Sequence, residues 1–104
     1  MSHNKKRNGG SFEEDTVRTV WEKLFYPNTQ YIGLIIALEP TEKGSDKYGN
    51  EIHYCEYGNT NSKYGWEVDH IKPQNRGGSD DLFNLQALQW RENRIKGDTY
   101  PYNK

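Results

Sequence analysis

Five polar positions toward the carboxyl end of the chain include residue types that could act on a phosphate ester: the adjacent pair Asp69 and His70, then Asn84, Asn93 and Lys96. Hydrolysing a phosphodiester takes a deprotonated water aligned with phosphorus and something to absorb charge on the leaving oxygen. A histidine, with an unperturbed pKa of about 6.5, is the side chain best able to accept that proton at neutral pH. His70 is therefore the candidate general base. Asp69 and Asn93 offer oxygen atoms, the donors a magnesium-like ion prefers, and such an ion is commonly held by one or two protein groups together with substrate phosphate. On a helix Asn93 and Lys96 share a face, so a ligand at Asn93 would bring the Lys96 ammonium toward the same phosphate. Arg94 and Lys72 are second candidates for that contact.

Positioning these groups falls to a short run of elements. Residues 66–71 read as a strand, 73–81 as a Gly-rich loop, 84–88 as a short strand or turn, and 89–96 as a helix. From His70, Asn84 lies 14 positions on, Asn93 23 and Lys96 26, separations that fit a hairpin loop followed by one helix. Neighbours in a regular strand point to opposite faces, so a strand end or a bulge must re-aim Asp69 or His70. Upstream, Ser11-Phe12-Glu13-Glu14 reads as a capping box. The apolar stripe Phe12, Val17, Val20, Trp21, Leu24 and Phe25 predicts a helix over about residues 12–25, ended by Pro27. The apolar, β-branched run 31–38 reads as a buried strand, 44–50 as turn-forming, and 51–57 as a strand pairing back. Residues 1–10, polar and basic with nothing to bury, read as a disordered arm that could still grip DNA. The expected organisation is a disordered basic arm, 1–10, and one α+β domain, 11–104.

The stretches Trp66-Glu67-Val68-Asp69-His70-Ile71, Gly77-Gly78-Ser79-Asp80-Asp81, Asn84-Leu85-Gln86-Ala87-Leu88 and Glu92-Asn93-Arg94-Ile95-Lys96-Gly97 together resemble the HNH endonuclease family. The resemblance implies a ββα-metal (His-Me finger) fold with its core motif over residues 65–98, here buttressed by the N-terminal helix and a β-hairpin. It further implies a DNA phosphodiester hydrolase, with double-stranded DNA as substrate and a 3′-hydroxyl opposite a 5′-phosphate as products. By that resemblance Asp69 and the helix residue Asn93 hold one divalent ion, and His70 activates water. Asn84 is then a structural amide bonding across the loop, so the expected catalytic set is His70, Asn84 and Asn93. This chain is of the kind with Asn at the last motif position. That choice keeps an oxygen donor but no second imidazole, so it favours Mg²⁺ or Mn²⁺ over zinc or nickel. Lys96, Arg94 and Lys72 are the expected phosphate contacts. Two alternatives stay open: a DNA-binding module that cleaves nothing, and a nuclease acting on RNA. With no separate reader element in view, a homodimer or a partner protein would supply any specificity.

Composition bounds the rest. One hundred and four residues fit one small domain, and with 32% apolar residues its core must draw on three Trp, eight Tyr and three Phe. A net charge of −1 argues against a nucleic-acid partner until it is divided by segment. Residues 1–10 carry +3, 11–70 carry −6 and 71–97 carry +2, so a local basic surface formed by Lys72, Arg76, Arg91, Arg94 and Lys96 can face phosphate. Cys55 stands alone, which excludes an intramolecular disulfide and the Cys-pair zinc cluster of some small nucleases, and no structural zinc is expected. It is expected to pack as a small hydrophobe. No membrane partner is expected, because no stretch reaches the length of a membrane span, and a cytoplasmic setting, bacterial, phage or viral, is the expectation. Trp66 and Trp90 are read as core rather than base-stacking residues. Asp80 and Asp81 are read as turn-forming, and His3 and His53 as carrying no role.

Overall fold

The structure, a computed structural model, describes residues 3–27 and 40–104. The expected strand over 31–38 lies outside them. The first helix, α1 (Glu14–Glu22), is shorter than the apolar stripe suggested, and no capping box forms. Glu13 takes the N-cap place without a side-chain bond to the helix, because its carboxylate is engaged 2.7 Å from Lys6 Nζ, and Ser11 Oγ accepts from Lys5 instead. Past Glu22 the chain continues in single turns, Leu24 N donating to Trp21 O and Tyr26 N to Glu22 O, before Pro27. Val17, Val20 and Trp21 point inward from α1, as the stripe required.

A small hairpin follows, β1 (Lys43–Ser45) antiparallel to β2 (Glu51–His53), with Gly44 opposite Ile52. Gly44 and Ser45, expected in a turn, are strand. The turn begins at Asp46, whose Oδ1 accepts the N–H groups of Tyr48 and Asn50, and Gly49 completes it at φ 88°. β2 ends at His53, and residues 54–56 form one 3₁₀ turn rather than more strand.

The C-terminal part forms in the expected order of strand, loop, strand and helix. β3 (Trp66–His70) pairs antiparallel with β4 (Leu85–Gln89) in unbroken register from Trp66↔Gln89 to His70↔Leu85, and α2 (Trp90–Lys96) follows at once. Gln89 caps α2, its side chain accepting from Glu92 N at 3.0 Å. The intervening loop holds a 3₁₀ turn over 74–76 closed by Gly77 at φ 88°. Two small antiparallel sheets and two helices make the architecture α+β, and no helix among the described residues is long and apolar enough to cross a membrane.

One face of β3 and β4 packs on α1. Trp66, Val68, Leu85 and Ala87 join Val17, Val20, Trp21, Ile52 and Phe12 in a single core. Its centre is aromatic: the Trp21 and Trp66 rings lie 5.1 Å apart, with Tyr54 and Tyr57 against them. Trp66 is fully buried, as expected, whereas Trp90 is only half-buried, with the Arg91 and Arg94 guanidinium groups at 5.4 and 6.0 Å from its ring. Cys55 is exposed and does not pack as a core hydrophobe, since it sits in the 3₁₀ turn that interrupts the strand pattern.

Candidate active site

Asn84 closes the loop that carries the candidate base. Lying on the turn before β4, it accepts from Lys72 N through Oδ1 at 2.8 Å and donates through Nδ2 to Lys72 O at 3.1 Å and Ser79 O at 2.8 Å. Gly78 must be glycine beside it, since a Cβ there would stand 1.7 Å from Lys72 O and 2.9 Å from Asn84 Nδ2. The clamp folds residues 73–81 back over the end of β3.

Around that end lies an open cavity of about 400 Å³, whose walls include His3, Asp69, His70, Asn93 and Lys96. The regular register of β3 and β4 leaves no bulge to turn Asp69 or His70. The two side chains leave opposite faces of β3. Asp69 meets α2, while His70 lies on the core side, its ring 5.9 Å from that of Phe12. His70 is the last residue of the strand, and the cavity reaches both side chains around its end.

His70 Nε2 lies 2.7 Å from Asp80 Oδ1, and Nδ1 has no hydrogen-bond partner among the described residues. Asp80, expected only to shape a turn, is thus drawn into the site. The turn bond is made by Asp81 instead, which accepts from Ser79 Oγ at 2.9 Å.

Asp69 is buried, and burial pushes its carboxyl above the usual carboxylate range. Gln86 Nε2 at 2.9 Å and the Lys96 ammonium at 3.3 Å oppose that shift. Lys96 is only 2% exposed and turns inward, donating also to His70 O at 3.0 Å. The free reach toward phosphate that its helical position suggested is replaced by a hold on Asp69 and on the strand end. Arg94 likewise spends its guanidinium fork on Glu67, at 2.6 and 3.0 Å. Of the three expected phosphate contacts, only Lys72 has an exposed side chain without a bonded partner among the described residues.

Asn93 donates through Nδ2 to Glu67 Oε1 at 2.9 Å. Glu67, on the same face of β3 as Asp69, thereby fixes which end of the Asn93 amide is tied, leaving Oδ1 as its unengaged atom among the described residues. Sequence reasoning missed Glu67. Alternation along β3 was the signal that could have placed it beside Asp69.

Residues 3–10 lie against β3 and the loop that follows it. Asn4 Oδ1 accepts from Val68 N at 3.0 Å and from Tyr57 Oη at 2.7 Å, filling the open edge of β3. Gln74 donates to Lys5 O, and Arg7 Nη1 donates to Gly78 O at 2.6 Å. His3 reaches the cavity wall, where burial and the Arg94 charge lower its pKa against the opposing pull of Glu67 and Asp69. His53, by contrast, stacks on Tyr64 and pairs with Glu51, away from the cavity.

Among the described residues no three His, Cys, Asp or Glu side chains converge to hold a metal ion. The oxygen pair of Asp69 and Asn93 still fits a hard, largely hydrated ion, which needs few protein groups, and both line a cavity wide enough for its waters. The fit is strengthened by the tie from Asn93 Nδ2 to Glu67, which leaves an oxygen for the ligand.

No curated protein and no solved structure matches the chain. Residues 53–99 match the family model described as HNH endonuclease, and the match contains β3, the clamped loop, β4 and α2. That family is one of nucleases, and the segment 53–99 of this chain is similar to it.

Proposed function

We propose that the chain is a metal-dependent endonuclease that hydrolyses phosphodiester bonds of double-stranded DNA, with His70 as general base. The observation that carries the reading is the convergence of His70, Asp69 and Asn93 on one cavity inside the HNH match. His70 takes the proton of the attacking water, its imidazole held in place at the strand end by the loop that Asn84 clamps. Asp69 and Asn93 would hold one divalent ion, Mg²⁺ or Mn²⁺, which would supply positive charge to the scissile phosphate and to a leaving 3′-oxygen; the products would be a 3′-hydroxyl and a 5′-phosphate. Burial raises the pKa of Asp69, and Gln86 and Lys96 oppose that rise. Lys72 and the outward part of Arg94 guide the backbone phosphates, and with Arg76 and Arg91 they make binding sensitive to salt.

Relaxation of supercoiled plasmid by the purified chain tests this reading, run with Mg²⁺, with Mn²⁺ and with chelator, beside His70→Ala. Nicking that requires the metal and fails in His70→Ala is expected. Binding without cleavage under every ion would overturn it and point to a non-cleaving module, and cleavage confined to RNA would move the substrate class.

A further inference from the structure

We propose that Asp80 is a positioning residue for His70: its carboxylate holds the Nε2–H of the imidazole and so makes Nδ1 the nitrogen that faces the attacking water. The inference rests on the reading of His70 as general base. A neutral imidazole has one donor and one acceptor nitrogen, and an ionised carboxylate only accepts. At 2.7 Å from Asp80 Oδ1, Nε2 is therefore the donor, and the lone pair is on Nδ1, the nitrogen without a bonded partner among the described residues. When water loses its proton the proton goes to Nδ1. Asp80 stays ionised and stabilises the imidazolium that results, the logic of a base oriented by a third group.

Asp80 is itself held. Both of its oxygens accept the Arg7 N–H, at 3.1 and 3.2 Å, and the Arg7 guanidinium ties Gly78 O beside it. On the other flank Asn84 holds Ser79 O. A turn role does not account for Asp80, because the Ser79 hydroxyl bonds to Asp81. Phe12 stands against the imidazole, so the ring is fixed in plane by a carboxylate and limited in tilt by an aromatic neighbour.

Proton NMR of the chain labelled with ¹⁵N-histidine reads the pair directly, on the protein alone. A downfield, exchange-protected Nε2–H resonance is expected in the wild type, lost in Asp80→Ala and kept in Asp81→Ala. In plasmid relaxation with Mn²⁺, Asp80→Asn is expected to lower kcat by about 10- to 100-fold, the range for groups that orient a catalytic side chain, with KM unchanged. Asp80→Glu should recover part of the loss. A wild type that cleaves nothing while the resonance is present overturns the general-base reading, and this inference with it. A wild type that cleaves without the resonance, a resonance that survives Asp80→Ala, or Asp80→Asn at full rate overturns this inference alone.

Discussion

The Asn84 clamp gives the sharpest stability prediction. Asn84 is 6% exposed and makes three side-chain hydrogen bonds, all to the backbone of the loop. Asn84→Ala removes all three at once. At about 0.5–1.5 kcal/mol net for each, and with the freed Lys72 and Ser79 groups only partly able to find water, the loss is about 2–4 kcal/mol. In a domain near 100 residues that corresponds to a fall in Tm of about 10–25 °C. Asn84→Asp is expected to be at least as damaging at neutral pH, because an oxygen would replace Nδ2 opposite two carbonyls. Gly78→Ala attacks the same clamp from the other side, since its Cβ would displace Lys72 O. The two substitutions act on one structure, so the double variant Gly78→Ala with Asn84→Ala should lose at least about 1 kcal/mol less than the sum of the singles. Urea unfolding followed by emission of the buried Trp21 and Trp66 measures all four variants. Asn75→Ala is the control. Its residue is exposed, with one side-chain bond to Asp98, and its change should stay within about 0.5 kcal/mol. A loss in Asn84→Ala no larger than the control, or additive losses in the double variant, would refute the clamp.

Without DNA, Mn²⁺ at 100 times its dissociation constant should stabilise the chain by about 2.7 kcal/mol, seen as a rise in Tm that Asp69→Ala abolishes; no rise in the wild type would remove the metal from the proposal. Lys96→Met leaves the Asp69 carboxylate buried without its cation, so a loss of about 3 kcal/mol is expected at neutral pH by urea unfolding. Glu92 is opposed by burial, but bonds from Lys104, Tyr102 and Asn50 hold its pKa below the ordinary 4.5. A depressed folded pKa gives stability that is present above the unfolded value and lost as pH falls through the folded one. The stability gap between wild type and Glu92→Gln should therefore be widest above pH 4.5 and close below it. The same substitution should bring the Tyr102 hydroxyl down from about 12, where its bond to Glu92 pushes it, toward 10, as read by ultraviolet titration.

Where one physical cue dominated, the sequence was legible. The run 66–71 read as a strand and forms β3, and the stripe Val17, Val20, Trp21 predicted the buried face of α1. The spacing of Asn84 and Asn93 from His70 predicted a loop, a strand and a helix in that order. The cues that failed were competitions. Ser11 and Glu14 could have capped α1, but the nearby lysines engage Ser11 and Glu13, and the helix starts without a side-chain cap. Gly44 resembles a turn residue, yet it enters β1 because its missing side chain makes room for Leu24, Phe25 and Trp21. The N-terminal segment has little apolar surface, and composition alone therefore predicts disorder. Its anchor is polar: an asparagine oxygen supplies the acceptor that Val68 N needs on the open edge of β3. Asp80 was invisible for a similar reason, since only loop closure by Asn84 brings it to His70.

The polar face between β3 and α2 carries a further consequence. Glu67, Asp69, Asn93 and Lys96 are all nearly sealed from solvent there, in a chain poor in apolar residues. Buried ion pairs of this kind are weak contributors to stability, and well-packed apolar side chains of similar volume often do as well or better. A face selected for stability alone would be filled with leucine and valine, as the opposite face of β3 is filled by Trp66 and Val68. What the polar face supplies instead is orientation. Lys96 fixes Asp69, and Glu67 fixes the Asn93 amide with its nitrogen tied. Replacing Glu67 and Arg94 together with apolar residues should therefore cost no more than about 1–3 kcal/mol, the penalty of the unpaired Asn93 amide donor, while weakening Mn²⁺ binding, because the Asn93 amide would then be free to turn. If metal affinity survived that double replacement unchanged, orientation of Asn93 could not be the reason the charges are kept.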